Sequence, residues 1–278
     1  RYRDALVGPE TLVVAISQSG ETADTLGAVK AARLKGCPIL AVTNVVGSAL
    51  AREATGILYM HAGPEIGVAS TKAFATMIVA TYLLGLWLGR QRGALTAEDV
   101  KKRIHDLVEI PRLVEKTLEL DGQIATIARE LAGARNVLYL GRGLQFPIAL
   151  EGALKLKEIS YIHAEGYAGG EMKHGPIALI ADRLPVVALA PRDGSYERML
   201  GNIEEVLARE GQVIAVAHAG DRTLGAKAQH LIEVPACADL LAPLITVIPL
   251  QLLAYHTAVR LGCDVDQPRN LAKSVTVE

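Results

Sequence analysis

The chain has 278 residues, 50% of them hydrophobic, enough to build two domains with separate cores, and this excludes a disordered protein. Its 29 basic and 30 acidic residues leave no global field of either sign, so neither nucleic acid nor an anionic membrane is favoured as a partner, and any anion must be held locally. The three cysteines, Cys37, Cys237 and Cys263, are odd in number, far apart and without C-x-x-C spacing; they fit a reducing cytoplasm better than a metal or redox pair.

In chain order, the runs Leu12 to Ile16, Pro38 to Val42 and Ile57 to Met60 are rich in β-branched and apolar residues and bounded by turn formers, and they read as buried strands. Between the first two, Leu26, Val29 and Ala32 fall at helical spacing within Glu21 to Lys35, and Gly36 marks the stop. The uncharged stretches Ala73 to Gly89 and Leu240 to Val259 raise the question of membrane spans. Thr76 and Thr81 interrupt the first, and Pro243, Pro249, Gln251 and His256 the second. Neither has the Lys/Arg asymmetry that sets a topology, so both read as core helices.

The strand pattern returns at Val137 to Leu140, Val186 to Ala190, Val213 to Val216 and Leu231 to Val234. The spacing of Val13, Ile39 and Ile57 is matched to within a residue by Val186, Val213 and Ile232, which points to two copies of one domain. The strand at Val137 precedes the second set, and its counterpart would fall ahead of Arg1, so the first domain is expected to lack its N-terminal portion. Strands alternating with helices predict an α/β fold of two three-layer domains with parallel sheets. The expected division is 1–100 for the first domain and 101–262 for the second, with a packed connector helix at 101–121 broken near Pro111, and a tail at 263–278.

Ligands of open parallel sheets sit beyond the carboxyl ends of the strands, where loops enter helix N-termini. There the first copy has Ser17-Gln18-Ser19-Gly20-Glu21-Thr22, a set of hydroxyl and amide donors without net charge that could surround a phosphate. A Ser/Thr helix cap with Gly20 as turn residue would account for the same residues, while the glycine fingerprint of dinucleotide sites and the G-K-[ST] of a P-loop are absent. Further on, Glu151, Lys155 and Glu158 share a helix face, which alone suits a solvated ion-pair stripe. His174, before the turn former Gly175-Pro176, and Lys273, in an aperiodic tail, would on their own be surface groups.

Taken together, the first loop, Gly67-Val68-Ala69-Ser70-Thr71-Lys72, Glu151-Gly152-Ala153-Leu154-Lys155-Leu156-Lys157-Glu158, Lys173-His174-Gly175-Pro176 and the tail from Pro268 to Glu278 resemble the sugar-isomerase (SIS) domain family. Within it they are similar to the isomerase halves of the glutamine-fructose-6-phosphate aminotransferases. The resemblance implies that Ser17, Gln18, Ser19 and Thr22 hold a substrate phosphate and that Val68 and Ser70 line the sugar. It implies that Glu158 carries a proton between C1 and C2, and that Lys155 steadies the enol-type intermediate. His174, contributed by the neighbouring subunit of a dimer, would open the cyclic hexose, and Lys273 would form a Schiff base with the ketose carbonyl beneath the folded tail. The reaction so implied converts fructose 6-phosphate to glucosamine 6-phosphate without metal or organic cofactor, using ammonia from a separate upstream glutaminase domain. A phosphosugar isomerase without amination, or a non-catalytic sugar-phosphate sensor, would share parts of this set.

Overall fold

A computed structural model describes residues 4–273, and residues 274–278 of the expected tail lie outside the described residues. The chain divides into two compact units: residues up to Val100 together with the segment from Asn270, and residues Lys101–Arg269.

In the first unit β1 (Val13–Ser17) leads into α1 (Ala23–Leu34), followed by β2 (Ile39–Thr43), α2 (Ala49–Glu53), β3 (Gly56–Tyr59) and α3 (Lys72–Gln91). The strands form a parallel sheet in the order β1-β2-β3. Its core joins Ala15, Ile39 and Ala41 of the sheet to Val29 and Ala32 of α1 and to Leu50 of α2. The helical spacing of Val29 and Ala32 is what turns them to one side, and Gly36, at φ +77°, ends the helix in a backbone conformation that L side chains avoid.

The connection to the second unit is α4 (Ala97–Val108) and α5 (Ile110–Leu118), with the expected break near Pro111 falling at Glu109. Pro111 stands in the first turn of α5, where its missing N–H is harmless; inside a continuous helix it would have cost a hydrogen bond. Ile110, Leu113 and Thr117 are buried on α5, whereas α4 buries none of its side chains.

The second unit continues through α6 (Asp121–Leu131), β4 (Asn136–Gly141), α7 (Gln145–Ser160) and β5 (His163–Ala168), then β6 (Pro185–Leu189), α8 (Tyr196–Leu207), β7 (Gln212–His218), α9 (Arg222–Gly225), β8 (His230–Val234) and α10 (Ala242–Arg260). Its parallel sheet has the order β5-β4-β6-β7-β8. The stretch β6-β7-β8 repeats β1-β2-β3: Leu40 pairs with Gly56 as Ile214 pairs with His230, each second-sheet residue standing equally far along the chain from its first-sheet counterpart.

β5 is the one strand that the sequence does not announce. Its residues His-Ala-Glu-Gly-Tyr-Ala contain no β-branched side chain, and it forms because Gly166 lets the strand lie against the backbone of α7; a Cβ there would stand 2.8 Å from the Cα of Leu150. The two apolar stretches also part company. The segment ending in α10 is 72% buried within its hydrophobic window and is the expected core helix, but the window of α3 is only 17% buried. On α3 only Ala73, Ala80 and Leu86 are fully buried, so the expectation of an all-round core helix is corrected: a three-stranded sheet covers one narrow stripe of it. By length and composition alone both helices could cross a membrane.

Helices α7 and α10 approach closely at Gly152, where an added Cβ would stand 2.5 Å from Leu250 Cδ1 and 2.9 Å from Tyr139 Cε1. Gly152→Ala is therefore expected to destabilise the protein by about 1–3 kcal/mol through overpacking, against the small gain that alanine gives an open helix. Denaturant unfolding measures this, and an unchanged or raised midpoint would mean that the helices can part without cost.

Candidate active site

The first loop folds on itself through its own hydroxyls. Ser17, 7% exposed at the end of β1, accepts the Gly20 N–H at 3.1 Å, and its Oγ lies 3.4 Å from the Thr22 hydroxyl. Ser19 Oγ accepts the Glu21 N–H at 3.2 Å. Thr22 takes the N-cap position of α1, yet its side chain makes no capping bond, so the cap reading of the sequence does not explain its hydroxyl. Gly20 sits at φ +67°, and a Cβ there would collide with Ser48, the residue that caps α2; glycine is required twice over. Glu21 reaches across to accept the Ala49 N–H at 2.8 Å, fixing the loop to the next helix. The result is a rigid turn of neutral donors at the N-terminus of a 12-residue helix, where the dipole favours an anion.

Beside this turn lies an open cleft of about 600 Å³ whose walls include Gln18, Ser19, Asn44, His61, Glu65 and Lys273. Asn44 holds the far wall by accepting from the Ala62 N–H and donating to the Gly63 carbonyl, both at 2.9 Å. Glu65 organises the rest. Its Oε1 accepts the Thr71 N–H at 2.8 Å and the Ala73 N–H at 3.3 Å, capping α3, and its Oε2 accepts from Ser70 Oγ and from Lys273 Nζ, each at 3.2 Å. Lys273 also donates to the Gly67 carbonyl at 2.6 Å. Burial raises the Glu65 carboxyl, but the two N–H groups and the Lys273 ammonium outweigh it and hold the group below the usual carboxylate range. Three of the expected residues, Gln18, Ser19 and Lys273, thus share one cleft; Ser17 and Thr22 brace its turn, Ser70 is tied in through Glu65, and Val68 is half-buried in the adjoining segment.

In the second unit the face shared by Glu151, Lys155 and Glu158 is buried and not a solvated stripe. Lys155 is 3% exposed; its Nζ lies 2.7 Å from Glu158 Oε2 and 3.4 Å from Glu151 Oε1. Neither oxygen receives an aligned hydrogen bond, so the attraction is mainly through space. Burial raises the Glu151 carboxyl above its ordinary value, with Lys155 opposing. An ammonium held out of water between two carboxylates is tolerated only as a set, since removing the cation would leave buried charge uncompensated. His174 ends a 3-10 turn, Gly169–His174, and is exposed, followed by Gly175 at φ +148°.

The loop after β6, which corresponds to the first loop, carries different chemistry. Asp193 stands where the first loop has its turn, accepting from the Ser195 N–H at 2.8 Å and hydroxyl at 2.7 Å, while Arg192 pairs with the buried Asp221 at 3.4 Å. Asp193 already takes the N–H and hydroxyl of Ser195, so this turn offers an anion fewer free donors than the first.

Glu65 and Asn44 escaped the sequence reading. A lone acid after a proline and an asparagine at a strand end carry no periodic signal; their proximity to the first loop exists only once β1, β2 and β3 are paired.

Comparison with known proteins identifies the family. The chain aligns over its full length, 58% identical, with a glutamine-fructose-6-phosphate aminotransferase (isomerizing) of Thermus thermophilus, and 52% identical with that of Methanosarcina mazei. It spans just under half of these relatives, 46% and 45% of their lengths. Among solved structures it matches the C-terminal domain of glucosamine-fructose-6-phosphate aminotransferase from Francisella tularensis with a TM-score of 0.91 and 42% identity, over 96% of this chain and 75% of that one. The SIS domain family model matches residues 1–86 and 130–261, one stretch on each of the two parallel sheets, and the chain belongs to the SIS domain family.

Proposed function

We propose that this chain is the isomerase half of an enzyme that converts fructose 6-phosphate and ammonia to glucosamine 6-phosphate, working as a cytoplasmic homodimer with a separate glutaminase domain as the ammonia source. The observation that carries the reading is Lys273: an amine is held against a carboxylate in the cleft whose opposite wall is the neutral turn of Gln18 and Ser19. The phosphate would be taken by Ser17, Gln18, Ser19 and Thr22 at the N-terminus of α1, and Val68 and Ser70 would line the sugar.

With the phosphate anchored, each remaining group has a task suited to its surroundings. His174, exposed on its turn, can move a proton at the ring oxygen and open the cyclic sugar. Lys273, positioned in the cleft by Glu65, attacks the C2 carbonyl once its ammonium has given up a proton to solvent, and water leaves to give an imine. Ammonia then displaces the lysine at C2, and Glu158 takes a proton from C1 of the new imine and returns one to C2, which gives the aldose. The Lys155 ammonium, touching Glu158, steadies the charge that develops on the enol-type intermediate.

Incubation of the protein with fructose 6-phosphate, with and without ammonium, is expected to yield amino sugar only when ammonium is present. Glucose 6-phosphate as sole product would make it a simple aldose-ketose isomerase, and binding without turnover a sensor. Borohydride added with fructose 6-phosphate is expected to fix the sugar covalently to Lys273, detectable by peptide mass spectrometry, and Lys273→Arg should abolish the adduct; an adduct on another lysine contradicts the assignment. Glu158→Gln should abolish product while leaving phosphosugar affinity within about threefold, because the amide is isosteric but accepts no proton. An equal loss of affinity would show that Glu158 serves binding instead of proton transfer.

A further inference from the structure

The segment that presents His174 is held by a guanidinium that none of the proposed steps uses. Arg142, half-buried between Gly141 and Gly143 at the end of β4, donates its Nε–H to Asn202 Oδ1 on α8 at 2.9 Å. Asn202 is 5% exposed, and its amide nitrogen donates to Glu205 Oε2 at 3.3 Å. Glu205 in turn receives Lys173 Nζ at 2.7 Å, and Lys173 immediately precedes His174. Burial raises the Glu205 carboxyl, but Lys173, Asn202 and Arg209 outweigh it and keep the group ionised below the ordinary range.

The other end of the same 3-10 turn rests directly on the guanidinium. A Cβ at Gly169 would stand 2.5 Å from Asn202 Oδ1 and 3.3 Å from Arg142 Nε, and one at Gly170 would stand 3.4 Å from an Arg142 terminal nitrogen. Two successive glycines thus let the backbone approach the guanidinium closely. Between the two ends, Met172 is fully buried in the core with Met199 and Ile203 of α8. The turn is pinned at its start by Arg142, in its middle by Met172 and at its end by Lys173, and His174 is the first side chain beyond the last pin.

We propose that Arg142 is a positioning residue for His174: it orients the Asn202 amide, and through that amide and the Gly169-Gly170 backbone it fixes the turn from which the imidazole acts. This rests on the reading of His174 as the ring-opening group. The shape of the guanidinium is essential, because its Nε–H bonds Asn202 while its terminal nitrogens lie close to Gly170, and an ammonium cannot occupy both places. Removing it leaves the buried carbonyl oxygen of Asn202 without its donor, which loosens the turn and not the sheet beneath it.

The test uses the protein with its whole natural chain and compares Arg142→Ala, Arg142→Lys, His174→Ala and the Arg142→Ala/His174→Ala double variant. Amide hydrogen exchange over residues 169–174 is expected to speed up by about tenfold in both Arg142 variants, with β4 and α7 unchanged, as the loss of one hydrogen bond to a buried group implies. Turnover of fructose 6-phosphate should fall by about 10- to 100-fold with KM within twofold, and Arg142→Ala should cost little more once His174 is gone, as groups acting in one chain do. Unchanged exchange over 169–174, or the same loss of turnover in both backgrounds, overturns the proposal; Arg142→Lys decides the matter if the alanine variant does not fold. Full turnover by His174→Ala alone would sink the catalytic reading of the histidine, and the exchange measurement would then still judge whether Arg142 holds the turn.

Discussion

A chain whose positive and negative residues nearly cancel offers an anion no global field, so the phosphate site proposed at the Gly20 turn depends on how accurately its local donors are placed. The turn at Gly20 meets that constraint. Its left-handed backbone and its closeness to Ser48 admit no side chain, and Ser17, Ser19 and Glu21 spend their side chains on holding main-chain N–H groups and not on solvent. The donors are therefore fixed before any ligand arrives, and little ordering remains to be done on binding. The corresponding turn of the second unit differs at several positions, carrying Pro191, Arg192 and Asp193, and there a carboxylate takes the bonds of the turn's own donors.

The groups to which the proposed function gives chemistry obey a second constraint, that charge taken from water must be balanced where it lies. Lys273 is balanced by Glu65, which at the same time caps α3, so one carboxylate links a helix N-terminus to the chain segment that brings the amine into the cleft. Lys155 is balanced by Glu151 and Glu158 on its own helix. In each case the cation lies in hydrogen-bonding or ion-pair range of its counter-charge, an arrangement that is a poor source of stability taken alone. Close packing of α7 at Gly152 supports the second set by allowing the helix to settle against both α10 and Tyr139.

Much of the sheet was legible in the sequence because parallel strands are apolar over their length and are cut off by turn formers, and every such run became a strand within a residue or two of its expected ends; the expected burial failed in the first unit, where Val14, Ile16 and Ile57 are exposed. β5 was not, since a glycine that permits backbone contact leaves no hydrophobic pattern. Hydropathy likewise treated α3 and α10 as equals, because it registers composition and not how much sheet is available to cover a helix. At the site, the loop of Ser17 to Thr22 was readable from its position after a strand. The buried face of Glu151, Lys155 and Glu158 was readable as a shared face but not as buried, because spacing fixes direction on a helix and says nothing of what packs there. Glu65, Asn44 and Arg142 matter through contacts between elements far apart in sequence, and only the fold reveals them.

The most direct measurement is a crystal structure of the protein with fructose 6-phosphate bound. The account predicts phosphoryl oxygens within about 2.7–3.2 Å of donors from residues 17 to 22, with Gly20 unmoved. A phosphate seated elsewhere while that turn stands empty would contradict it.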